Sequence, residues 1–103
     1  MIVNSIYAIH RRFEKDNVPG QITIELSNYD KSTFITVQDN GIGIEEAILD
    51  KVFDPFFTTK TTSEAAGVGL YLCKNIISMM NGDIVVASQK DKFTEFKIIL
   101  WQN

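Results

Sequence analysis

"QDNGIGIEEAILDKVFDPFFTTK", Gln38 to Lys60, sets a carboxylate, an amide and two glycines directly before an acidic helical run, then closes on three phenylalanines around a proline. What precedes it decides how it is read. "TFITVQ", residues 33–38, alternates like a strand, and residues two apart on a strand share a face, so Ile35, Val37 and Asp39 point the same way. Asp39 therefore emerges at the end of the buried side of a sheet. Asp-Asn-Gly is also an ordinary turn signal, and taken by itself the tripeptide favours that plainer reading.

Working outward, Ile22, Ile24 and Leu26 alternate with Thr23, Glu25 and Ser27 as a one-faced strand. "NYDKS", Asn28 to Ser32, is a polar turn that pairs this strand with "TFITVQ" as a hairpin. Toward the N-terminus, Val18-Pro19-Gly20 breaks the chain, and Met1 to Phe13 places Ile2, Ile6, Ile9 and Phe13 on one helical stripe. Toward the C-terminus, the spacing predicts a helix from about Glu45 to Val52, then the phenylalanine cluster. "TTSEAAG" follows as a small, polar loop without periodicity. Leu70 to Met80 carries Leu72, Ile76, Met79 and Met80 at helical spacing, ended by Asn81-Gly82 as a C-cap pair. Two strands close the chain: Ile84 to Ser88, and Phe93 to Trp101 with Thr94, Phe96, Ile98 and Leu100 on one face. This order predicts an α+β two-layer sandwich, a largely antiparallel mixed sheet covered on one face by helices.

At 103 residues the chain suits one domain with a real core. Thirteen acidic against ten basic residues give a formal charge of −3, which argues against generalised nucleic-acid binding. A polyanion would have to be held by local geometry. The single cysteine, Cys73, excludes an internal disulfide and matches a reducing compartment, where it reads as a small packed thiol. His10, the lone histidine, reads as a solvated residue near a helix end. No apolar run approaches the roughly 20 residues that span a bilayer, so a cytoplasmic domain without direct membrane contact is expected.

Three elements bear chemistry. A carboxylate at the rim of an apolar layer is acceptor-only and suits an exocyclic amine such as that of adenine, a bond of roughly 1.5–3 kcal/mol. Gly41 and Gly43 would let backbone approach a flat ring where a Cβ would collide. "GVGLYLCKNII" then puts Gly67 and Gly69 just before a helix, which taken alone favours a cap or flexible loop but can also offer free N–H groups and a positive dipole end to phosphate. It lacks the dinucleotide fingerprint and the Lys-Ser/Thr of a P-loop. Asn4 shares a helix face with Ala8 and Arg11, opposite the isoleucine stripe. Its amide oxygen reads either as solvated or as a ligand for Mg²⁺, which takes only one or two protein oxygens beside phosphates and water.

The ordered set "VNSIYAI", "DNGIGI", "FDPFFTTK", "GVGLYLCKNII" resembles the catalytic and ATP-binding domain of sensor histidine kinases, a Bergerat-fold ATPase, over nearly the whole chain. The resemblance implies that Asn4 coordinates Mg²⁺ and that Asp39 binds adenine with Gly41 and Gly43 beside it. It implies that Phe53, Phe56 and Phe57 form the F box and that Gly67, Gly69 and Leu70 face the phosphates; Lys60 is then a candidate catalytic contact to the γ-phosphate, or else a solvated lid charge. ATP and Mg²⁺ are then the expected cofactors. The reaction is transfer of the γ-phosphoryl of ATP to a histidine on a separate phosphoacceptor and dimerisation domain of the same parent protein, with a response regulator as an indirect partner. His10 lies downstream of Asn4 and is not the expected phosphoacceptor.

The chain departs from the family pattern in its lid, where Ser63 and Ala65 stand at usual glycine positions and Ala66 precedes Gly67 in place of a hydroxyl residue. The chain also starts three residues before Asn4. The missing lid glycines keep a different class open, with Asn4 and Asp39 as the argument against it: a degenerate regulatory module that binds nucleotide or a partner without transferring phosphate. A chaperone- or topoisomerase-like ATPase is disfavoured by the F box and the short lid.

Overall fold

The computed structural model describes residues 2–55 and 69–101. Helix α1 (Ile2–Asp16) leads into strands β1 (Ile22–Tyr29) and β2 (Ser32–Asp39). A short 3-10 helix (Glu46–Lys51), helix α2 (Gly69–Met79) and strands β3 (Gly82–Gln89) and β4 (Phe93–Trp101) complete the order. The strands form one sheet in the order β1-β2-β4-β3, every neighbouring pair antiparallel. The predicted sandwich is present, and the described sheet is wholly antiparallel.

Local chemistry accounts for the punctuation. Asn17, Asp30, Asn81 and Asp91 hold the left-handed backbone that ends helices and closes hairpins, with φ between 56 and 61°. Asn and Asp tolerate this region because their short side chains bond locally. The expected stop at Asn81 is thereby met, and Asn17 ends α1 with its N–H on the Phe13 carbonyl, 2.9 Å.

The register explains where the core sits. Ile24, Val37, Phe96 and Val86 form one cross-strand row, and Ile35, Ile98 and Ile84 the next. Against these rows pack Ile77 of α2, Phe53 and Leu70. A third row, Ile22, Asp39, Thr94 and Ser88, ends the same face with polar side chains. The sheet is thus apolar in its middle and polar at one edge of its covered side.

Several apolar residues expected inside are not. On α2 the inward stripe is Leu70, Cys73 and Ile77, whereas Leu72, Ile76, Met79 and Met80 are all exposed. Both sets have helical spacing, so periodicity found the helix and mistook its buried face. On β1, Ile24 and Leu26 share the covered side but stay 57% and 69% exposed, because α1 lies over β2 and α2 over β3. On α1, Ile6 and Phe13 are about half exposed. What turns inward is Ser5, with Ala8 and Arg12 partly covered beside it. His10 is exposed and faces Glu14 at 3.3 Å, as a solvated helix residue should.

Candidate nucleotide site

Asp39 closes β2 on the covered side with 3% of its surface exposed. The backbone N–H of Gly41 donates to its Oδ1 at 2.9 Å, an Asx-type bond that starts the turn. Burial raises the Asp39 pKa, opposed by the Gly41 bond and by the nearby Ser5 side chain. A desolvated carboxylate of this kind is a strong acceptor in search of a donor.

The turn after Asp39 is held from three sides. The Ile42 N–H donates to the Ala8 carbonyl at 3.0 Å, and the Asp91 N–H to the Ile42 carbonyl at 2.6 Å. Arg12 donates through one nitrogen to the carbonyls of Asn40 (2.9 Å) and Lys92 (3.1 Å). The Asn40 side chain accepts from the Gln21 N–H at 2.7 Å and donates to the Pro19 carbonyl at 2.8 Å, tying the turn to the start of β1. Lys15 pairs with Asp91 at 2.6 Å and Lys90 with Glu45 at 2.8 Å.

This clamp gives the two glycines their reason. A Cβ on Gly41 would lie 2.5–2.8 Å from atoms of Ala8, backbone included. One on Gly43, whose φ is +73°, would overlap the Gln89 carbonyl. The close approach that the sequence suggested for a flat ring is made here by α1 and the β3–β4 turn. The turn beside Asp39 is therefore packed closely against the backbone of α1 and of the β3–β4 turn.

Beyond Asp39 the wall continues through Thr94, 4% exposed, and Ser88. The Ser88 hydroxyl accepts from the Ile44 N–H (2.8 Å) and lies 2.7 Å from the Phe93 carbonyl, an acceptor to which it must donate. Its one proton being spent, Thr94 is the donor in the 2.9 Å contact between the two hydroxyls.

Asn4 lies on α1 one residue before Ser5, half-buried and engaged by a neighbour. Gly69 is the first residue of α2, exposed, with open space where a Cβ would stand. Leu70 follows it into the core. Phe53 packs edge-on to Phe96, ring centres 6.2 Å apart, with Lys74 Nζ 4.7 Å above its ring. It anchors the chain leaving the 3-10 helix to the core. Phe56, Phe57, Lys60, Ser63, Ala65, Ala66 and Gly67 fall outside the described residues. An open depression of about 500 Å³ along β3, lined by Ile44, Leu49, Val86 and Lys90 among others, contains none of the expected site residues. Arg12, Asn40, Ser5, Thr94 and Ser88 were missed as site builders. Only Asn40, within Asp-Asn-Gly, carried a local signal.

The fold, four antiparallel strands with helices on one face, is that of an ATPase family. The chain belongs to the family of histidine kinase-, DNA gyrase B- and HSP90-like ATPases, whose model matches residues 2–103. Within it the relatives are sensor kinases. Signal transduction histidine-protein kinase AtoS of Escherichia coli is 39% identical over 101 residues, covering 97% of this chain and 15% of that protein. Sporulation kinase D of Bacillus subtilis is 42% identical over 81 residues, covering 79% of this chain and 16% of that protein. The nucleotide-free catalytic domain of histidine kinase ThkA superposes with a TM-score of 0.74 at 25% identity, covering 98% of this chain and 59% of that one. The chain thus spans about a sixth of the length of these two curated relatives.

Proposed function

We propose that this chain is the ATP-binding catalytic domain of a two-component sensor kinase, passing the γ-phosphoryl of ATP to a histidine on a separate phosphoacceptor domain of a longer parent. The observation that carries it is Asp39: a buried acceptor at the polar end of an otherwise apolar sheet face, beside a glycine turn on which α1 closes. Its free oxygen suits the 6-amino group of adenine, and the polar row through Thr94 extends the same wall. Asn4 follows on α1, where an amide oxygen fits Mg²⁺ held mainly by phosphates and water. Among the described residues no group of three His, Cys, Asp or Glu could hold a metal. Mg²⁺ would supply charge neutralisation at the phosphates.

The chain's own part is positioning. Gly69 opens α2, an 11-residue helix whose first N–H groups and dipole favour an anion. Leu70 fixes that end to the core. Lys60 is proposed to contact the γ-phosphate, with Gly67 beside the phosphates and Phe53, Phe56 and Phe57 rooting the lid. In the transfer, a bond forms from an imidazole nitrogen of the acceptor to the γ-phosphorus as the β–γ bridging bond breaks, releasing ADP. A response regulator then takes the phosphoryl group. No described helix is long and apolar enough to cross a membrane. A cytoplasmic position of this domain in its parent is part of the proposal.

Mixing the chain with a soluble phosphoacceptor fragment and γ-labelled ATP tests the reading. Label on the acceptor histidine is expected; saturable ATP binding with no transfer would replace the kinase by a nucleotide-binding regulatory module.

A further inference from the structure

Ser5 sits on the inward face of α1 with 1% of its surface exposed, the most buried polar residue described. Its hydroxyl has no hydrogen-bond partner among the described residues. Leaving a buried hydroxyl unpaired costs roughly 1–3 kcal/mol, so an isolated orphan of this kind calls for a reason. Packing does not supply one, since alanine would fill nearly the same volume and favours a helix more.

Its surroundings are short of donors. The Asp39 carboxylate accepts from the Gly41 N–H through Oδ1, which leaves its second oxygen for another donor. Thr94, directly across the ladder, has spent its proton on Ser88 and offers only lone pairs. Ser5 lies close enough to Asp39 to favour its charged form, while standing outside hydrogen-bond geometry. Among the Ser5, Thr94 and Ser88 hydroxyls, its proton is the uncommitted one.

We propose that Ser5 is a positioning residue for adenine recognition, its hydroxyl closing on the Asp39 carboxylate when nucleotide binds and holding the acceptor oxygen on the exocyclic amine. The inference rests on the assignment of Asp39 to adenine. Two donors, Gly41 from the turn and Ser5 from the helix, then fix the carboxylate's rotation, which its own side-chain torsion leaves broad. The hydroxyl is too buried to touch the ligand, so it acts through Asp39. A site built around a polar group discriminates strongly against a ligand lacking its partner, and Ser5 strengthens that discrimination.

The test compares ADP with purine riboside diphosphate, identical but for the 6-amino group, by calorimetric titration of the parent chain, Ser5→Ala and Ser5→Cys. Cysteine keeps a side chain there but is a weak donor. The parent should favour ADP by tenfold or more, roughly the worth of one bond to a charged acceptor. Both variants should narrow this preference by roughly three- to tenfold, through weaker ADP binding alone. Equal weakening of both ligands would show a purely structural role and overturn the proposal, as would an unchanged preference in the variants. A parent that binds both ligands equally would overturn the adenine reading and the Ser5 role with it.

Discussion

The Gly41 backbone N–H donates to Asp39 Oδ1 across 2.9 Å, so the residue that needs to be glycine also occupies half of the buried acid. One residue later the Ile42 N–H binds Ala8 of α1. The turn that bonds the acid is thus the turn on which the helix rests, and packing and the proposed recognition share the same atoms.

The first expectation concerns the cost of the acid. Burial raises the Asp39 pKa above its ordinary 3.8. Between the unfolded and folded pKa values the folded state holds more protons than the unfolded one, so stability falls as pH rises through that window. Above it the desolvated charge remains a standing penalty. Asp39→Asn keeps an acceptor for the Gly41 N–H and removes the charge. It should raise the thermal midpoint of the nucleotide-free domain at pH 7 by a few degrees, with the gain shrinking toward pH 4. Thermal unfolding across that range checks this; a variant less stable than the parent at pH 7 contradicts it.

Gly41→Ala places its Cβ within 2.5–2.8 Å of Ala8 backbone and side-chain atoms, where neither segment can yield cheaply. Overpacking of this kind costs about 1–3 kcal/mol. A domain of this size then loses roughly 4–8 °C of thermal midpoint per kcal/mol. Pairing the change with Ala8→Gly removes one of the overlapping atoms, the Ala8 Cβ. The two substitutions should therefore couple favourably in a double-mutant cycle. Strict additivity would show that Gly41 is not confined by α1.

Asn4→Ala tests the metal assignment. Affinity for an ATP analogue should fall roughly tenfold in Mg²⁺ and change little in chelator, as expected for the loss of one of few protein ligands. Titration under the two conditions gives the comparison. The same Mg²⁺ dependence in parent and variant would remove Asn4 from the metal.

The Lys15–Asp91 pair fastens the end of α1 to the β3–β4 turn. The Lys15 hydrogen bond, with Arg12 and Lys90 adding charge, holds the Asp91 pKa below its ordinary 3.8. A folded pKa below the unfolded value contributes stability that is present above about 3.8 and lost as pH falls through the folded pKa. Asp91→Asn keeps a residue suited to the φ of 61° there and removes the charge. Both partners are partly exposed, so a small loss of thermal midpoint at pH 7 is expected, shrinking as pH falls through the folded pKa and weakened in 1 M salt. A loss independent of pH would assign the effect to the turn.

Strand parity was enough to bury Asp39 beside Val37, and the Asn81 stop, the hairpin and the β4 face from Thr94 to Leu100 could all be read locally. The buried faces of the helices could not. Ile6 and Phe13 offered a better apolar stripe than Ser5, Ala8 and Arg12, yet the polar stripe turns inward because it carries the contacts to the Asp39 turn. Local pattern and global fold disagree where a site is built. The clamp through Arg12, Asn40 and Lys92 joins segments 28 and 80 residues apart, and of the three only Asn40 carried a local signal. For Gly41 and Gly43 the sequence identified positions needing close approach, while only the fold says what approaches.

The central claim is that Asp39 reads adenine. It is tested most directly by calorimetric titration of the parent chain and Asp39→Ala with a non-hydrolysable ATP analogue in Mg²⁺. Saturable one-site binding by the parent and a loss of at least tenfold in the variant, the scale set by one bond to a charged acceptor, are predicted. Equal affinities in a variant that remains folded would contradict the account.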